Sequence, residues 1–453
     1  MLTTIALNPL AKRGGLCQNG CFPMSDSGPF PRSRWLVLLA AVLGCMSSQL
    51  TNVAMAPVLP QIAASMNINL GSATNAVMTT FLFSGCVVLL AGGVVCDRYG
   101  VLAALILGFL CVAAPGALMP WIGHSPSGIF WARIVEGASH GFAFPAVSPI
   151  VALWFPRHQK GLALGFMSAS VAGGSVIGMV AGPAIFAQVK DWQTMCAWLS
   201  LLGWAGFVFT VILALMPKPQ LPAQAAATSA APAGALFKRL LFSPLTAVGI
   251  LITFMGTYDM HCLYSLTPTF LAAHKPVGAG YGSMAAGQLM LGVTLLGGIG
   301  GPILCGQLLD RVFKGNAKAV FLMGFAMMCG SIYALRLPYV TARVVVLETA
   351  LVLAGFGIQF VMPTIYYFVA KAYPPQLAGK MSGIWVGIGT FGGVLGLYIG
   401  GITVRSQNSY HTTLTLEALA ALAGFLLIFA LTAAHKAAAR ETATSVQTMG
   451  AGR

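Results

Sequence analysis

Acidic residues are scarce in this chain: Asp and Glu together number 9 in 453 residues, against 24 Lys and Arg. Only 7% of residues are charged and 57% are hydrophobic, whereas a soluble domain carries about 25% charged residues. No soluble fold covers that much apolar surface, so the bilayer is the solvent. Other shortages exclude other classes. The glycine-dense stretches, such as Gly297-Gly298 and Gly392-Gly393, follow no strand and carry no Lys-Ser/Thr pair, which rules out nucleotide loops. Most of the 10 cysteines lie in apolar runs, where they act as small hydrophobes. Cys17 and Cys21 lack a second pair and nearby histidines, so no metal and no cofactor are expected. No nucleophile–base pairing is visible, and an enzyme is not expected. Residues 1–34 hold no continuous apolar stretch, so no cleaved signal peptide is expected.

What the chain does have is long apolar runs, and a spanning helix needs roughly 20 apolar residues. They cover 35–57, 72–95, 101–121, 128–155, 161–187 and 193–216, then 244–272, 283–309, 319–337, 342–371, 381–403 and 412–434. Between the two sets, residues 217–235 are rich in Ala, Pro and Ser and read as a flexible linker. Leu236 to Leu241 reads as a short amphipathic helix. The expectation is an all-α membrane protein with 12 transmembrane helices in two six-helix bundles. Its parts are a cytoplasmic segment 1–34, a bundle 35–216, a linker 217–243, a bundle 244–434 and a tail 435–453.

The two sets repeat one another. At an offset of 218, Gly137 falls on Gly355, Pro145 on Pro363, Pro156 on Pro374, Gly174 on Gly392 and Gly178 on Gly396. Gly and Pro mark backbone requirements such as kinks and close helix contact. Arg133 and Glu136 fall on Leu351 and Ala354, so embedded charge at this place belongs to the first copy alone.

The basic residues report orientation rather than a polyanionic partner. Arg98, Lys160, Lys238, Arg239, Arg311, Lys314, Lys371 and Lys380 sit at alternate turns with the basic ends of the chain. The opposite turns hold only Lys190, Lys275, Arg336, Arg343 and Arg405. Positive residues collect inside, which places both termini in the cytoplasm and the protein in the cytoplasmic membrane.

Two turns carry a shared signature. Gly93-Val-Val-Cys-Asp97-Arg98-Tyr-Gly100 follows the second run, and Gly306-Gln-Leu308-Leu-Asp310-Arg311 follows the eighth. Both resemble the loop motif G-x-L-x-D-R-x-G-R-K of the major facilitator superfamily. The first copy has Val95 for Leu and lacks the trailing basic pair, and the second has Phe313 for the second Gly. The stretch Arg133-Ile-Val-Glu136-Gly137-Ala-Ser-His140-Gly141 with Pro145 resembles that superfamily's fourth-helix motif. Trp154-Phe-Pro156-Arg157-His-Gln-Lys160-Gly161 is similar to the next connection in its anion:cation symporter and nitrate-type members. Those relatives carry Glu seven residues after the arginine, where this chain has His140.

The resemblance covers residues 35–434 and implies a secondary transporter in which two halves rock about a central site. It implies that the first, fourth, seventh and tenth helices line the cavity, and that Asp97, Arg98, Asp310 and Arg311 gate its cytoplasmic face. The expected partners are a small, anionic solute and protons, with the protein monomeric. A drug or metabolite exporter and a non-transporting sensor are the alternative readings.

Embedded charge is costly, roughly 2.5–3.5 kcal/mol on insertion scales, and usually faces a partner or a cavity. Arg133, Glu136 and His140 share one helix face by their spacing. Three readings of Arg133 stay open: a neutralised couple with Glu136, a clamp for a carboxylate or oxyanion, and a gate near the outer end. Glu136, His140, Asp259 and His261 are candidates for proton coupling, although Asp259 can equally be a hydrated residue at the mouth. Gln49, Asn52, Tyr258, Gln359 and Tyr366 are candidates for solute contact, and the adjacent Tyr366 and Tyr367 cannot both face one cavity.

Overall fold

The computed structural model describes residues 31–156, 159–217 and 233–451. Cys17, Cys21, Arg157 and most of the linker after 217 lie outside the described residues. Among the described residues the chain is helical, with no strand. The main helices are α1 (Arg34–Ala54), α2 (Thr80–Tyr99), α3 (Val101–Ile122), α4 (Pro126–Ala143), α5 (Lys160–Val189) and α6 (Trp192–Leu215). The second set is α7 (Pro244–His261), α8 (Gly282–Gly292), α9 (Ala317–Ala334), α10 (Val344–Ala372), α11 (Phe391–Gln407) and α12 (His411–Ala451). Ten helical stretches among the described residues are long and apolar enough to cross a membrane. Phe83, Leu110, Trp198 and Leu426 stand exposed on their outer faces, as a lipid solvent requires.

Local chemistry sets many of the ends. Ser125 and Ser243 accept the backbone N–H groups of Gly128 and Thr246, with Pro126 and Pro244 opening α4 and α7. Asp191 caps α6 through the N–H of Thr194 at 2.7 Å. Pro145 stands in the break between α4 and a further helix, Val147–Trp154, whereas its repeat partner Pro363 lies inside the unbroken α10. The last helix runs on to Ala451, past the apolar run that ends at 434. The amphipathic segment forms a helix, Ala233–Leu241.

Several rods contain π-helical turns: Asn75–Thr79 before α2, Cys262–Leu266 after α7, and Val293–Gly300 and Leu308–Val312 beyond α8. Such turns widen the hydrogen-bond ladder and recur at functional sites.

The repeated glycines do equivalent work in the two sets. A side chain on Gly174 would meet the backbone carbonyl of Met46, and one on Gly392 that of Phe254. These contacts let α5 lie against α1, and α11 against α7. In the same way Gly137 of α4 abuts the carbonyl of Phe81, while Gly355 of α10 abuts Val293. The chain is therefore built twice on one packing plan.

The two groups of helices meet unevenly. Thr269 Oγ1 donates to the carbonyl of Ala56 at 2.9 Å, and Ser283 Oγ donates to Gln61 Oε1 at 3.0 Å. Gly401 of α11 packs on Asn75, and Gly287 of α8 on the carbonyl of Met179. At the other end, Val147–Trp154, Leu308–Val312 and Pro375–Gly389 pack chiefly within their own group. Among the described residues one end is sealed by these contacts, and the end that carries the Asp97-Arg98 and Asp310-Arg311 turns is parted, meeting only sparsely across the boundary.

Candidate functional site

Arg133 is the largest charged side chain that is fully buried. Its Nη1 donates to Glu136 Oε2 at 2.7 Å and to the carbonyl of Thr51 at 3.2 Å, and its Nε donates to the carbonyl of Val77 at 2.7 Å. The guanidinium lies over the Phe81 ring, 4.4 Å from its centroid. Val77 belongs to the π-helical turn that leads into α2, so an irregular stretch of backbone supplies one acceptor. Nη2 has no hydrogen-bond partner among the described residues. Of the three readings, the couple with Glu136 is the one formed in this conformation.

Glu136 also faces a cavity of about 20 Å³ inside its own group of helices, lined by Thr51, Gly116, Cys196 and Ser200. That space suffices for a single water. His140 stacks on Phe144 with ring centroids 4.0 Å apart and places Nδ1 3.5 Å from Ser48 Oγ. Ser139 Oγ donates to the same Ser48 hydroxyl at 2.9 Å.

On the other side His261 is buried against Gly393 of α11. It lies within electrostatic reach of His140 on the other side of the boundary between the groups. The hydroxyl of Tyr264 interacts with Gln359 and lies near Gly298, where α5 meets the rod that begins with α8. Gln49 is turned to Ser175, donating from Nε2 at 3.1 Å, and Asn52 is buried. Tyr258 is buried, whereas Tyr366 is half exposed at 51%. The four turn residues Asp97, Arg98, Asp310 and Arg311 are all exposed.

Asp259 is 0% exposed and its carboxylate oxygens have no hydrogen-bond partner among the described residues. The reading of a hydrated residue at a mouth is thereby excluded for this conformation. Two positions separate Asp259 from His261, which on a helix means opposite faces. Asp259 lies within electrostatic reach of Cys329 of α9 and Glu417 of α12. Glu417 is likewise 0% exposed and unpartnered among the described residues. Sequence reasoning passed over it, although a single acid in the apolar run 412–434 was the available signal. Among the described residues no group of three or more metal-ligating side chains is found.

A family model described as Major Facilitator Superfamily matches residues 37–396. The chain belongs to the major facilitator superfamily. The all-helical fold is in keeping with that membership. The crystal structure of a D-xylose–proton symporter superposes with a TM-score of 0.69, covering 87% of this chain and 97% of that one. At 16% identity that likeness shows the fold alone. A probable chloroplastic anion transporter of Arabidopsis thaliana, number 4, is 27% identical over 137 residues, which is 30% of this chain and 25% of its own. The quinolone resistance protein NorA of Staphylococcus aureus strain MRSA252 is 27% identical over 162 residues, 36% of this chain and 41% of its own. The chain thus aligns with about a quarter to two-fifths of the length of these superfamily relatives.

Proposed function

We propose that this chain moves a small organic or inorganic anion, a mono- or dicarboxylate above all, across the cytoplasmic membrane by alternating access coupled to protons. The observation that carries the reading is the uneven meeting of two equivalently packed groups of helices, sealed at one end and parted at the other. A rocking motion about the boundary would exchange the two ends. On this reading Pro126–Trp154 and Pro244–Ala272 join the ten clear candidates as further spans, for 12 in two bundles. The basic residues at the parted end support placing that end and both termini in the cytoplasm. The conformation is then open inward, with Asp97, Arg98, Asp310 and Arg311 released from gating.

The anion reading is supported by Arg133, whose Nη2 remains without a partner, and by the likeness to probable anion transporters over part of the chain. Because Glu136 neutralises Arg133, a solute carboxylate gains most when the rocking motion loosens that pair. His140, His261, Tyr264 and Gln359 supply hydrogen-bonding groups at the boundary. We place Gln49, Asn52 and Tyr366 around this path, and Glu136 and Asp259 in coupling; Tyr258, which lies near Asp259 and Glu417, goes with the coupling groups. The test is uptake of labelled lactate and succinate into proteoliposomes with and without a pH gradient; concentrative uptake is expected only with the gradient. The likeness to a quinolone resistance protein favours a second reading, an exporter. Dye efflux from cells without carboxylate uptake would select it.

A further inference from the structure

Asp259 and Glu417 lie on different helices, α7 and α12, which pack against each other. Each is fully buried, and all four carboxylate oxygens are without a hydrogen-bond donor among the described residues. Asp259 is within electrostatic reach of Glu417. The contrast with Glu136 is direct, since that buried acid has a guanidinium at 2.7 Å. Two bare carboxylates within electrostatic reach of each other in an apolar interior are untenable, because burial of an unpaired charge and like-charge repulsion act in the same direction.

Among the described residues no cation pairs with them. The titratable groups near the pair are Tyr258 and Cys262 on the same rod and Cys329 on α9, none of them positively charged. His261, two positions on, falls on the opposite face of α7. Lys371, Lys380 and Arg405, on the helices packed against α7, are all exposed. The pair is too sparse in oxygen ligands for a metal ion, and a proton needs only one lone pair. Immediately after His261 the rod widens into the π-helical turn Cys262–Leu266, a place where α7 can change its pitch.

We propose that Asp259 and Glu417 together form a proton-binding site inside the C-terminal group of helices, separated from the solute path by α7 itself. The proton sits on a carboxylate oxygen of one acid, leaves the pair with at most one negative charge, and returns to water when tilting of α7 opens the α7–α12 contact. Solute and proton then act on opposite faces of one helix, with His261 on the solute side. The coupling role rests on the transporter reading; the existence of the site does not.

The test is infrared spectroscopy of the full chain in lipid nanodiscs at neutral pH, in H₂O and D₂O. A carboxylic-acid carbonyl band that shifts in D₂O is expected in the wild-type protein. It should persist in Glu136→Gln, since Glu136 is ion-paired, and be lost in Asp259→Asn/Glu417→Gln. Absence of the band from the wild-type protein, or its survival in the double variant, overturns the site. No solute enters this measurement, so a failure of the anion reading leaves it standing. In proteoliposomes that take up succinate, Glu417→Gln should lose concentrative uptake while exchange across equal pH persists. Undiminished gradient-driven accumulation in that variant overturns the coupling role.

Discussion

Arg133 Nη1 stands 2.7 Å from Glu136 Oε2, with both side chains buried in the N-terminal group of helices. Removing one partner of a buried pair leaves an uncompensated charge and costs about 3–5 kcal/mol, whereas replacing both with apolar groups is often near neutral. Arg133→Ala and Glu136→Gln should therefore each lower the thermal stability of the purified protein sharply. Arg133→Met combined with Glu136→Leu should recover most of it. Additive losses would show that the two side chains do not stabilise one another. The same stable double variant decides the solute role: it should fail to take up carboxylate, and full uptake would remove Arg133 from the solute site.

The repeated glycines predict a graded packing response. Gly174→Leu drives a side chain into the carbonyl of Met46, and Gly392→Leu into that of Phe254. Each should cost at least the ~1–3 kcal/mol typical of overpacking and lower the melting temperature. Gly165→Leu is the control, because nothing lies within 4 Å of a side chain there. Equal tolerance at all three positions would contradict the close-contact role.

The sealed end makes a kinetic prediction. Thr269→Val keeps the shape but removes the hydrogen bond to the Ala56 carbonyl. A net hydrogen bond contributes about 1 kcal/mol, so the ratio of sealed to opened forms should fall roughly fivefold, since 1.4 kcal/mol is tenfold. Thiol labelling of Ser283→Cys should rise by the same factor. An unchanged labelling rate would mean that Thr269 does not hold this end shut.

The duplication was legible because glycine and proline leave their mark at fixed offsets, and the packing plan shows what each copy does with them. The Arg133–Glu136 couple was legible from its spacing of three on a helix. Asp259 was not, because composition cannot say which way α7 is rotated: its partner in charge lies on α12, far along the chain. Glu417 stands near the start of the last apolar run, after Thr412, Thr413 and Thr415, where a polar residue reads as a hydrated helix end. Its full burial follows from the packing of α12 against α7 and α9. The rods at Pro126–Trp154 and Pro244–Ala272 are weaker apolar signals for a related reason. They carry Arg133, Glu136, His140, Asp259 and His261, whose polar side chains lower the hydropathy of the run.

The measurement that tests alternating access most directly is a cross-link at the sealed end. Ser283 Oγ and Gln61 Oε1 are 3.0 Å apart across the boundary, so Gln61→Cys with Ser283→Cys places two thiols within reach of one another. In proteoliposomes, oxidation should abolish uptake of labelled succinate and reduction should restore it. Full uptake by the cross-linked protein would contradict the account.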